Sequence, residues 1–243
     1  MQVDAIAVEL RPRAMTEATD LGVRLVQAHA RSVWRTCGPV FAVVFLLALS
    51  TVGIAGWLPI TVIFWLKPWL DRSVLFVLSR AAFGQATRFP DLWRAAGPVW
   101  WRQLPATLLL RRLSPWRSYT QPIHQLEGQG GKARRRRRTQ LLRGQRGIAG
   151  GMQFVFGNVE LALFSGLLAI AVWFAPEGSR GDMAAWLLHG GDLAAHALGT
   201  VFYASTVLLV EPFYVAAGFA MYLNRRVQLE AWDIEQEFRR AYA

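Results

Sequence analysis

Two carboxylates stand in settings that make them chemically unusual. Glu160 is the only charged side chain in the apolar run Ile148–Phe174, and Glu211 is the only one in Leu193–Asn224. An ionisable group inside an apolar span is costly unless it is protonated, paired or hydrated. Glu160 lies 13 residues beyond Gly147, and Glu211 lies 13 residues before Asn224. Antiparallel helices would therefore hold both at a similar depth, about 20 Å from the Gly147/Asn224 boundary. Each has polar company: Gly150, Gln153 and Gly157 share a face with Glu160. His196, Thr200, Tyr203, Glu211, Tyr214 and Gly218 fall within an arc of roughly 80° at 100° per residue. Three roles stay open for the pair. One is a proton or cation site, with one carboxyl kept neutral by the other. Another is interhelical hydrogen bonding to Tyr, Gln or the Leu208 carbonyl that Pro212 leaves without its donor. The third is exposure to an aqueous cleft. Lys67 can neutralise one Glu if the helix carrying it reaches the same depth.

Other chemistry is sparse. His189, Asp192 and His196 share one helical face, but they match no known signature and lack a fourth ligand, so no metal site is assigned. The lone Cys37 excludes an intramolecular disulfide. No nucleophilic constellation and no Gly-rich phosphate loop is visible, so no catalytic residue and no cofactor is named.

The elements that must position the carboxylates are membrane helices. The chain is 53% hydrophobic and 18% charged with a formal net charge of +11, a composition too apolar for an ordinary soluble domain. Leu193–Asn224 holds 32 residues, where a bilayer core needs about 20. Arg225 and Arg226 mark its cytoplasmic end. Lys67–Gly147 carries seventeen Lys/Arg against three Asp/Glu and belongs on the same side. The apolar run Val40–Leu66 must then be a hairpin, going out over Val40–Gly56 and turning at Gly56–Pro59. Its return limb is either re-entrant or continuous through Lys67, Asp71 and Arg72 towards Ser79. The continuous form is preferred and would set Lys67 and Asp71 as an i,i+4 pair. No cleavable signal peptide is read in the first residues.

Outside the spans, Glu17–Arg35 reads as an amphipathic helix with Thr16 as N-cap and a stripe of Ala18, Leu21, Leu25 and Ala28. It lies on the membrane surface or packs on other helices. Trp93, Trp100 and Trp101, interleaved with Arg94, Arg102, Arg111 and Arg112, suggest headgroup-level positions between Phe83 and Leu113. Ser114–Gly131 reads as loop. Arg134, Arg135, Arg136, Arg137 and Arg138 form a basic run suited to anionic lipid or to an acidic partner; nucleic acid is disfavoured. Gly147/Gly151 and Ala162/Gly166 offer small faces for close helix approach. Beyond Arg226, Val227, Ala231, Ile234 and Phe238 form a stripe. Glu230, Asp233, Glu235 and Glu237 suit docking on the chain's own arginine-rich surface.

These readings define an all-α polytopic membrane protein with a helical hairpin, two full transmembrane helices and amphipathic interfacial helices. The divisions are 1–36, an N-terminal amphipathic helix; 37–83, the hairpin; 84–147, a basic interfacial region; 148–224, the two-helix unit; and 225–243, a C-terminal amphipathic helix.

Two stretches, ELRPRAMTEATDLGVRL (Glu9–Leu25) and EPFYVAAGFAMYLNRRVQLEAWDIEQEFRR (Glu211–Arg240), resemble a family of uncharacterised bacterial polytopic membrane proteins. Its genes cluster with those of MoxR-type AAA ATPases, von Willebrand factor A-like proteins and transglutaminase-related membrane proteins. The resemblance implies a place in the inner membrane, and it carries over no catalytic residue. The expected function is a non-enzymatic inner-membrane scaffold or adaptor of an envelope-associated complex with both termini cytoplasmic. A small transporter or proton/cation-coupled channel using Glu160 and Glu211 is the alternative, and a lipid-acting enzyme the third. Expected partners are the anionic membrane and other membrane or cytoplasmic proteins, a MoxR-type system among them. Self-association is left open.

Overall fold

A computed structural model describes residues 13–110 and 112–230, and among these every regular element is helical. In chain order the α-helices are α1 (Met15–Ala28), α2 (Ala30–Leu49), α3 (Leu58–Ala81), α4 (Phe89–Arg94), α5 (Arg117–Thr120), α6 (Pro122–Gln125), α7 (Gly131–Leu142), α8 (Arg146–Trp173), α9 (Arg180–His189) and α10 (Leu193–Glu230). Three of them, α2, α8 and α10, are long and apolar enough to cross a membrane. The 38-residue α10 is the spine, with α1, α2, α3, α5 and α8 packed along it. At helical rise it is roughly 57 Å long, well beyond a bilayer core.

The hairpin is shifted from its predicted limits. Its outward limb ends at Leu49, and residues 50–57 make the turn before α3 begins. Pro59 sits in the first turn of α3, where its missing N–H breaks no helical bond. The return limb is one helix through Lys67, Pro68, Asp71 and Arg72. Nearly all of its second half, from Lys67 to Ala81, is buried. Its charged residues therefore face protein rather than lipid.

α1 ends at Ala28 rather than Arg35, and it packs antiparallel along the end of α10. Its buried stripe is Met15, Ala18, Gly22 and Val26, whereas Ala28 is exposed. Thr16 lies inside the helix, whose start is tied instead to Asn224. Arg13 N donates to Asn224 Oδ1, and Asn224 Nδ2 donates to Arg13 O, both at 2.9 Å. A Cβ on Gly22 would land on the Ala216 carbonyl and within 2.7 Å of Ala217 Cα, so this crossing requires glycine.

The stretch after α3 is more deeply built than its composition suggests. Trp100 is core: its Nε1 donates to Ser73 Oγ at 2.8 Å, and its ring meets Trp69 and Trp93. Arg72 is fully buried and donates to the carbonyls of Trp100 (2.9 Å) and Arg102 (2.7 Å). Of the three tryptophans in this stretch, Trp93 and Trp101 are exposed, as a headgroup position needs. Arg111 is outside the described residues. Ser114–Gly131 is not simple loop, because α5 and α6 carry a buried run from Arg117 to His124, with α5 against α10 and α6 against α7. Ser118 rests on Gly218, and Tyr119 Oη donates to Leu141 O at 2.9 Å.

α8 leans on α10 and α9 and leaves most of its surface open. The small faces Gly147/Gly151 and Ala162/Gly166 mediate no close approach among the described residues. A Cβ added at Gly147, Gly151 or Gly166 meets nothing within 4 Å, and Ala162 is exposed. The tail positions Ala231, Asp233, Ile234, Glu235, Glu237 and Phe238 lie outside the described residues.

Candidate functional site

Five charged groups alternate in one buried chain. Lys67 Nζ lies 2.5 Å from Glu160 Oε2 and 2.7 Å from Glu211 Oε2. Arg117 takes the other oxygen of Glu211, Nη2 to Oε1 at 2.5 Å, and its Nε lies 3.0 Å from Asp71 Oδ2. The order is Glu160–Lys67–Glu211–Arg117–Asp71, drawn from α8, α3, α10, α5 and α3 again. Glu211 and Asp71 are fully enclosed, whereas the Glu160 side chain keeps 17% exposure. A third cation, Arg112, stands 3.6 Å over the Phe64 ring close by. Three acids thus meet three bases. Buried charges persist when each has a partner and are costly when one is left alone.

The network departs from the sequence reading at two points. Lys67 and Asp71 do not pair with each other in i,i+4 fashion, because each points to a different partner. Glu211 is held by Lys67 and Arg117, not by the carbonyl Pro212 sets free. Burial works against the Arg117 charge, but Asp71, Tyr214 and Glu211 outweigh it and hold its pKa above the ordinary range.

Gln153 and Tyr214 join the site as hydrogen-bond partners. Tyr214 Oη donates to Gln153 Oε1 and accepts from Ser118 N at 3.3 Å, with Arg117 5.0 Å from its ring. Tyr203 packs edge-on against Phe164. With Lys67, Gln153, Glu160, Arg112 and Arg117 it lines a cavity of about 390 Å³. His196 is not part of the site. Its ring fills the space over Gly56, at the hairpin turn and roughly 22 Å along the helix from Glu211. The helical wheel puts residues on one face and is silent about their depth. Asp192 instead caps α10, accepting from Ala195 N at 3.1 Å and Trp186 Nε1 at 3.0 Å. Those bonds lower its pKa, the one from Trp186 first. Among the described residues no three metal-ligating side chains converge.

One contact fixes the level of the cluster. Trp34 and Phe213 rings lie 6.0 Å apart, which sets the start of α2 beside Glu211. Arg31 and Arg35, on that same turn of α2, are exposed.

The arginine run forms α7 and divides by face. Arg137 turns inward to Glu127, with Nε 3.1 Å and Nη2 3.0 Å from Oε1, and also pairs with Glu230. Arg226 meets Glu230 at 2.6 Å, and Tyr222 Oη donates to Glu127 at 2.6 Å. Burial pushes the Arg137 pKa down, but Glu127 and Glu230 outweigh it and hold it raised. Arg134 and Arg138 are half-buried against the Ser114–Trp116 stretch, while Lys132, Arg135 and Arg136 are exposed.

Arg117 and Arg112 were not singled out from sequence as site residues, and Asp71 only as a partner for Lys67. A signal for Arg117 exists: Ser114–Leu126 contains no glycine and no other charge in the most basic part of the chain. Such a segment is better suited to burial than to a loop.

No protein-family model, curated protein or solved structure matches this chain. The functional reading therefore rests on the geometry.

Proposed function

We propose that this chain is a non-enzymatic scaffold or adaptor of a bacterial inner membrane, with both ends and helix α7 on the cytoplasmic side. The observation that carries it is the ionic cluster, whose members come from α3, α5, α8 and α10 and are each paired. Ionisation there clamps these segments together, while Arg137 with Glu127 and Glu230, and Tyr119 with the Leu141 carbonyl, hold α7, whose Lys132, Arg135 and Arg136 face outward. The basic excess of Lys67–Gly147 supports the orientation. The exposed Arg31 and Arg35 support placing the cluster at the inner headgroup boundary, a cheaper position than the midplane. Anionic lipid is one surface offered to this face. On the resemblance at the two chain ends, a MoxR-type AAA ATPase is the first protein partner to try. Co-purification in mild detergent tests the reading: the native chain should retain a stoichiometric partner that the variant K132Q/R135Q/R136Q loses. Failure of the native chain to retain any partner counts against it.

A second reading, a proton- or cation-coupled transporter, is favoured by the cavity beside the partly exposed Glu160. It requires ion flux in proteoliposomes that E160Q abolishes without loss of folded protein.

A further inference from the structure

A second cavity, of about 440 Å³, lies between α7 and the stretch from Leu113 to His124, and no carboxylate lines it. Arg134 and Arg138, one turn apart on α7, form its charged wall. Arg138 lies 5.4 Å from the Trp116 ring, and its Nη2 reaches Ser114 Oγ at 3.4 Å. Ser114 accepts that bond, which leaves its own hydroxyl proton available. Arg117 borders the cavity as well, but its charge is matched by Asp71 and Glu211.

The contrast along α7 is informative. Arg137 reaches two carboxylates, Glu127 and Glu230, which it shares with Arg226, whereas among the described residues no carboxylate comes within ion-pairing distance of Arg134 or Arg138. Burial first, and the Arg138 charge second, lower the pKa of Arg134. Two half-buried like charges are thus held together around an open space. The rest of the lining is mixed: Pro68, Pro115 and Trp116 are apolar, Thr107, Thr120, Gln121 and His124 are polar, and Leu113 at the rim is 83% exposed.

We propose that this cavity binds a phosphate group, gripped by the guanidinium groups of Arg134 and Arg138 and by the Ser114 hydroxyl. Planar guanidinium forks match phosphate oxygens with two parallel bonds, which a diffuse basic surface does not offer. The phosphate belongs to a lipid headgroup whose chains leave past Leu113, or to a small soluble molecule. The site does not use Lys132, Arg135 or Arg136, so it stands or falls separately from docking by that face.

The test uses the full chain in uncharged detergent micelles at constant ionic strength, following thermal unfolding against dihexanoyl phosphatidic acid and against inorganic phosphate. The native protein should show a saturable rise in Tm. A response to the lipid alone assigns the site to a headgroup, and an equal response to inorganic phosphate assigns it to a soluble ligand. R134Q/R138Q should weaken binding roughly tenfold or more, the effect of losing charge-assisted bonds. R135Q/R136Q removes the same charge from the exposed face and should bind as the native protein does. No saturable response to either probe, or equal losses in the two double variants, overturns the proposal. If R134Q/R138Q fails to fold, R134Q alone decides, since it breaks no ion pair. It should raise Tm without ligand by relieving repulsion, and it should weaken binding; unchanged affinity in folded R134Q overturns the site.

Discussion

Lys67 and Glu160, 93 positions apart, make the only ion pair that joins α8 to the rest of the described residues, at 2.5 Å. The same ammonium serves Glu211, so removing Lys67 leaves two carboxylates short of a cation. K67M should destabilise the protein by about 3–5 kcal/mol, the range for breaking a buried pair from one side. E160Q should cost less, because Glu160 is the most exposed member, and E211Q more, because it serves both cations. The double variant K67M/E160Q should recover part of the K67M loss. Equilibrium unfolding in detergent measures all four, and strict additivity would remove the shared cluster from the account.

Arg117 is the second keystone, joining α5 to α3 and α10 through different nitrogens. Lysine keeps the charge but cannot hold Asp71 and Glu211 in the same forked geometry. R117K should therefore behave as a disruptive change, destabilising by about 2–4 kcal/mol. Amide exchange should accelerate first over Arg117–Gln125. Protection there equal to that of the native protein would show that the segment is held by its apolar contacts alone.

The legible part of the fold was whatever depends on long runs. α8 and α10 follow from apolar length and charge punctuation, and the unbroken α3 from the need to return a basic segment to one side. Glu160 and Glu211 could be put at one depth because Glu160 lies 13 residues beyond Gly147 and Glu211 lies 13 before Asn224, where the apolar runs meet basic residues. What stayed hidden depends on tertiary partners. Trp100 looks interfacial until Ser73 and Arg72 supply its bonds. Arg117–His124 looks like loop because Pro115 and Pro122 punctuate it, yet Arg117 and the Ser118 N–H bond to α10 and Tyr119 bonds to α7. His196 shared a face with Glu211 and not a level.

Glycine positions give a sharper comparison. The small faces read on α8 are open, whereas Gly22 and Gly218 touch neighbouring backbone or side chains closely. G22A and G218A should each cost about 1–3 kcal/mol through overpacking. G147A and G151A should be neutral or stabilising by up to about 1 kcal/mol, since alanine favours helix. Thermal unfolding ranks the four. Loss of stability in G151A would mean that α8 has a close neighbour beyond the described residues.

Sidedness is the premise on which the proposed docking face rests. Gly130 precedes α7 at the basic end, and Gly181 lies on exposed α9 beyond the far end of α8. The α8 span between them is apolar from Ile148 to Phe174 except for Glu160, so it carries no signal for a second turn. The native thiol, Cys37, is buried on α2 and is removed as C37S to leave a clean background. Single cysteines G130C and G181C should then react with an impermeant maleimide from opposite faces of the membrane, G181C in intact spheroplasts and G130C only after lysis. Labelling of G130C in intact spheroplasts would invert the protein and take α7 away from the cytoplasm. Labelling of both from one side would mean that α8 does not cross.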